Sequence, residues 1–132
     1  MSISETETTH AQEERVGEDE NMLIICVDVG KHIEWQNMGI GITAENIMSQ
    51  ICAAWILKKR STGAVALDNF LAIRLALCKI KEQGWQYIKI QTPCFQVLRL
   101  IRCQASRDIC TATHLEDIKD LSSMFRTCSF DS

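Results

Sequence analysis

The chain has 132 residues, of which 46% are hydrophobic, and a formal net charge of −3. That length suits one domain with a real core, and no apolar run is long enough to span a membrane. The polar, acidic start is unlike a signal peptide. Seven cysteines without a C-x-x-C pair argue against a zinc ribbon or a thioredoxin motif and fit buried thiols in an intracellular, reducing compartment, nucleus or cytoplasm.

Residues 1–21 carry seven acids and one Arg and few large apolar side chains. They are expected to form a disordered acidic tail, because they cannot bury enough surface to offset the entropy of ordering. The remaining residues, 22–132, hold 13 basic and 10 acidic side chains. This mild positive excess allows a polyanion partner without demanding one.

Met22 to Val29 is a nearly continuous apolar run of strand length, β-branched enough for a central strand buried on both faces. Asp28 sits near its carboxyl end. A carboxylate there is costly unless it is paired, bound to a metal, or accepting N–H bonds in the turn Val29-Gly30-Lys31. Lys31 to Gln36 reads as a loop carrying Trp35. Asn37 to Thr43 reads as a second strand whose Gly39 and Gly41 suggest a bulge, a bend or close backbone approach. A hairpin turn at Ala44-Glu45-Asn46 leads to a third strand, Ile47 to Lys58, so the first three strands form an antiparallel meander. Lys58, Lys59 and Arg60 make the only tight basic cluster, which is either a solvated strand end or a phosphate contact.

Ser61 or Thr62 is placed to cap a long helix. From Ala66 to Lys81 apolar residues recur at helical spacing, with Asp68, Arg74, Lys79 and Lys81 off the apolar face or on its edge. Gly84 is a helix stop. Gln86 to Gln91 alternates as a fourth strand, parallel to the first and reached by the helical crossover. Cys94 to Cys103 returns to helical spacing, and Gln104 to Cys110 reads as a loop or frayed helix. Thr113 to Phe125 is amphipathic, with Thr113 and Glu116 spaced as a capping box. Arg126 to Ser132 supplies a short fifth strand. The expected fold class is α/β, a mixed five-stranded sheet with helices on both faces.

This order of elements meets specific residues. Val27-Asp28, Asn37-Met38-Gly39-Ile40-Gly41 and the helix run Leu71-Ala72-Ile73-Arg74-Leu75-Ala76-Leu77 come first. Gly84-Trp85, Ile88-Lys89-Ile90, Cys94 and its helix, and Leu115-Glu116-Asp117-Ile118 through Cys128-Ser129-Phe130 follow. Together they resemble the ribonuclease H type 1 domains of plant proteins and plant retroelements. The resemblance covers residues 22–132 and implies a ribonuclease H-like three-layer fold, C-terminally truncated so that the final helix is lacking.

The resemblance implies hydrolysis of the RNA strand of an RNA–DNA hybrid with two Mg2+ ions. Such ions need several hard carboxylate ligands converging at the carboxyl edge of the central strands. Carried over residue by residue, the first carboxylate falls on Asp28, the second on Asn69 and the third on Pro93. The fourth belongs to a region absent from this sequence, as does the family's His/Arg loop. With Asp28 alone retained, Mg2+ is expected not to bind tightly, and the site to be degenerate and inactive. Lys31, Trp35, Lys58, Lys59, Arg60 and Lys89 are candidate nucleic-acid contacts through phosphate pairing and stacking. The alternative is a protein-interaction or vestigial module, with a partner or self-association burying the sheet left uncovered.

Overall fold

The computed structural model describes residues 21–32, 36–103 and 109–132. The expected tail (to residue 20), Trp35 and most of the expected 104–110 loop lie outside those residues. Eight elements follow in order: β1 Leu23–His32, β2 Asn37–Glu45, β3 Ile51–Arg60, α1 Val65–Glu82, β4 Tyr87–Gln91, α2 Phe95–Cys103, α3 Ile109–Ser122 and β5 Thr127–Asp131. The strands lie in the order β3-β2-β1-β4-β5. β1, β2 and β3 pair antiparallel, while β4 pairs parallel with both β1 and β5. The α/β class, the antiparallel meander, the parallel fourth strand and the short fifth are as the sequence led us to expect.

Several boundaries moved for identifiable reasons. β1 continues past Val29 to His32 because β2 pairs with it residue for residue, ending at His32 opposite Asn37. The expected loop from Lys31 therefore begins later. The hairpin turn is not at Ala44-Glu45-Asn46. Asn46 instead organises a longer turn, its Oδ1 accepting the N–H groups of Met48 (2.9 Å) and Gln50 (3.0 Å). Its backbone N–H also donates to the Gln50 carbonyl at 3.0 Å. An Asn side chain that bonds the backbone this way holds residues 47–50 out of the sheet, so β3 starts at Ile51 and not Ile47. Thr113 does not cap a helix: α3 begins at Ile109, and the Thr113 hydroxyl donates to the Ile109 carbonyl at 2.9 Å. Gly84 does end α1, at φ +80, with its N–H donating to the Lys81 carbonyl.

The core lies between the helices and one face of the sheet. Ile25 and Val27 of β1, Ile40, Ile42 and Ala44 of β2, and Ile88 and Ile90 of β4 are buried there with Phe70, Ile73 and Leu77 of α1, Val97 of α2 and Ile118 of α3. The register puts these strand residues on a single face: Val27 opposes Ile42, and Ile25 opposes both Ala44 and Ile90. Topology explains why. The steps from β1 to β4 and from β4 to β5 run the same way across the sheet. Right-handed crossovers in one direction carry their helices to one side. Helix cover expected on both faces is thus found, among the described residues, on one. The opposite face carries Ile24, Cys26, Asp28 and Gly30 of β1, Gly39, Gly41 and Thr43 of β2, and Ala54, Ile56, Lys58 and Arg60 of β3. Ile56 is 87% exposed on it.

Candidate nucleic-acid interface

Asp28 alternates with the buried Val27, which places its exposed carboxylate on the open face. Its Oδ1 accepts the N–H of Val29 at 3.0 Å, so the carboxylate is satisfied by its own strand and not by a following turn. The β1–β4 ladder ends at Cys26 opposite Gln91, where the Cys26 thiol meets the Gln91 Oε1 at 3.5 Å. Asp28 and Pro93 each lie two residues beyond that pair, at the same end of adjacent strands. Pro93 offers no side-chain ligand. Asn69 is buried on the helix, and its amide nitrogen donates to the Val65 carbonyl at 2.9 Å.

Asp28 stands on an open, side-chain-free floor. It pairs with Gly41, and the neighbouring Gly30 pairs with Gly39. A Cβ added at Gly30 or Gly41 would meet nothing within 4 Å, and one at Gly39 only the Gly30 carbonyl at 4.0 Å. A flat glycine surface lets a ligand approach the backbone closely. Beside this floor on β3, Lys58 aligns with Gly39 and Arg60 with Asn37, and both are exposed on the open face.

The other proposed contacts scatter. Lys59 aligns with Met38 on the opposite, helix-covered face. Lys89 is on the open face but opposes Ile24, six residues back from Gly30 along β1, about 20 Å from Lys58 in the strand direction alone. Lys31 is taken up in an ion pair, its Nζ 3.0 Å from Asp68 Oδ2.

Sequence reasoning missed Asp68. The helical wheel put it at the edge of the apolar face, yet its side chain is wholly buried. It belongs to the i, i+4 row that continues through the buried Ala72, Ala76 and Ile80, which was the signal available. Asp68 accepts hydrogen bonds from the Ser61 hydroxyl (2.6 Å), the Thr62 N–H (2.7 Å) and the Thr62 hydroxyl (2.8 Å). Neither Ser61 nor Thr62 caps the helix, whose N-cap is Ala64 without a side-chain bond. Burial alone raises the Asp68 pKa, but the Ser61 and Thr62 hydrogen bonds and the Lys31 contact outweigh it and bring it down from 3.8 to about 2. The cluster ties the end of β1, the β3–α1 loop and the first turn of α1 into one unit next to the basic end of β3.

Among the described residues no group of three His, Cys, Asp or Glu side chains is placed to hold a metal ion. One carboxylate, one buried amide and one proline do not fit two hard divalent cations, which require several charged oxygens around each site.

No protein-family model matches the chain, and no curated protein matches it in sequence. Solved structures do. The ribonuclease H1 of the halophilic archaeon Halobacterium salinarum NRC-1 superposes with a TM-score of 0.73 at 12% identity, over 84% of this chain and 85% of that one. The fold is ribonuclease H-like. LC11-RNase H1, solved in complex with an RNA/DNA hybrid, gives a TM-score of 0.72 at 13% identity, over 83% and 84% of the two chains. The PFV ribonuclease H domain gives 0.63 at 13%, over 83% and 76%. At such identities the likeness speaks for the ribonuclease H-like architecture alone, and function must come from the residues of this chain.

Proposed function

We propose that the chain is a ribonuclease H type 1-like nucleic-acid-binding domain whose catalytic site is degenerate. Residues 22–132 form that domain, of the plant and retroelement kind. It binds an RNA–DNA hybrid, or another duplex, by its phosphates. The observation that carries this reading is the glycine floor of Gly30, Gly39 and Gly41 on the open face, flanked by Asp28 and by the exposed Lys58 and Arg60. Two cations beside a flat backbone surface suit a sugar-phosphate strand, which needs charge and close approach and not a deep pocket. The donor set argues against cleavage: Asp28 has neither Asn69 nor Pro93 as a charged partner, so no step is assigned to a metal.

The test is a hybrid-binding titration at several salt concentrations, with a Mg2+-dependent cleavage assay on the same protein. Binding should weaken steeply with salt and cleavage should be absent. Mg2+-dependent cleavage abolished by Asp28→Asn would overturn the degenerate site, and no binding at low salt would overturn the nucleic-acid reading. A protein-interaction module is the second reading, favoured by Ile56, 87% exposed on the uncovered sheet. It requires concentration-dependent association, or a protein partner, that Ile56→Lys abolishes.

A further inference from the structure

We propose that the acidic segment of residues 5–20 docks on the open, basic end of the sheet, against Lys58 and Arg60. There it competes with polyanions. The contact itself rests on charge and reach. Only its consequence for ligand affinity rests on the nucleic-acid reading above.

The segment holds seven acids, Glu5, Glu7, Glu13, Glu14, Glu18, Asp19 and Glu20, against one Arg. The opposite charge is concentrated in one place, where Lys58, Lys59 and Arg60 end β3. All three are exposed, and no ion pair joins any of them to another described residue. Lys31, the nearby cation, is already committed to Asp68. The floor next to Lys58 and Arg60 has no side chains at Gly30, Gly39 and Gly41 to obstruct an incoming chain.

Reach is sufficient. The segment joins the sheet just before Leu23, at the start of β1, and Lys58 lies level with Gly30 through Gly39. Seven residues along the strands and two strands across amount to about 25 Å. At about 3.4 Å per extended residue, roughly eight residues cover that distance. Glu13 and Glu14 therefore arrive beside Lys58, with Glu5 and Glu7 in reserve for Arg60. Tethering raises the effective concentration of the acids at this surface to the order of 1 mM. A carboxylate-rich strand offers the same chemistry as a phosphate backbone, so occupancy by one excludes the other.

The experiment uses the full chain and a full-length variant neutralised at E5Q, E7Q, E13Q, E14Q, E18Q, D19N and E20Q. Backbone amide spectra of both are compared, without any ligand, at about 20 mM and about 500 mM salt. The two chains should differ at Gly39, Gly41, Lys58 and Arg60 in low salt, and the differences should vanish in high salt. With K58Q and R60Q introduced into both chains, the differences at Gly39 and Gly41 should disappear at low salt as well. The neutralised variant should also bind a short RNA–DNA hybrid roughly three- to tenfold more tightly at low salt. Superimposable spectra at low salt overturn the proposal, whatever the hybrid does. Differences that grow with protein concentration also overturn it, because they assign the surface to a second copy. Concentration-independent differences without hybrid binding by either chain uphold the docking and refute the nucleic-acid reading instead.

Discussion

Replacing Asp68 by Asn keeps the size of a wholly buried side chain and removes its charge. Four donors face that carboxylate: the Ser61 hydroxyl at 2.6 Å, the Thr62 N–H at 2.7 Å, the Thr62 hydroxyl at 2.8 Å and the Lys31 ammonium at 3.0 Å. The amide has one acceptor oxygen, so its NH2 must point at a donor, and Lys31 loses its partner. The pKa, lowered from 3.8 to about 2, corresponds to about 2 kcal/mol of preferential stabilisation of the ionised form. Leaving buried donors unpaired adds to this, so Asp68→Asn should cost ~2–4 kcal/mol at pH 7. Urea denaturation of both chains measures the difference. The sign with pH is fixed. The folded carboxyl titrates below the unfolded one, so its contribution is complete above pH 3.8 and is lost as pH falls towards 2. The gap between wild type and variant should therefore narrow across that window by about 2 kcal/mol. A loss under ~0.5 kcal/mol at pH 7, or a gap that stays constant down to pH 2, would refute the argument that the charge on Asp68 holds the β1–α1 junction.

The Arg74–Asp117 pair joins α1 to α3 at 3.0 Å, but its side chains are 39% and 41% exposed. Arg74→Ala should accordingly cost less than ~1 kcal/mol in the same assay. Phe70 is fully buried and stacks on His114 at 6.1 Å between ring centroids; Phe70→Ala should cost ~3–5 kcal/mol. Burial pushes the Cys128 thiol up to about 12. Alkylation at pH 8 followed by mass spectrometry should modify the exposed Cys78, Cys103 and Cys110 well before Cys128. Lys58→Gln and Arg60→Gln should each weaken hybrid binding and lower the salt slope by about one, while Asp28→Asn should leave affinity unchanged or slightly raised.

The first-strand Asp28, the glycines of β2 and the basic end of β3 were all legible as residues, because strand alternation and turn chemistry are local. What they form together was not. Asp28, Gly41 and Ile56 become neighbours only once three strands are in register, and the split of Lys58 and Arg60 from Lys59 follows from the two-residue period of β3. Lys31 read as a free phosphate contact since Asp68, its partner, is 37 positions away in the chain. Asp68 itself read as a solvated helix edge, because a helical wheel gives direction but not what stands opposite.

Local periodicity was enough to determine the order of strands and helices, the stop at Gly84 and the α/β class. Propensity and hydrophobic spacing act within a few residues and needed no partner to be read. The one-sided helix cover, the glycine floor and the clamp around Asp68 were decided by tertiary structure. Each depends on crossover handedness, strand register or contacts between residues far apart in the chain, and these are fixed only when the whole sheet closes around its core.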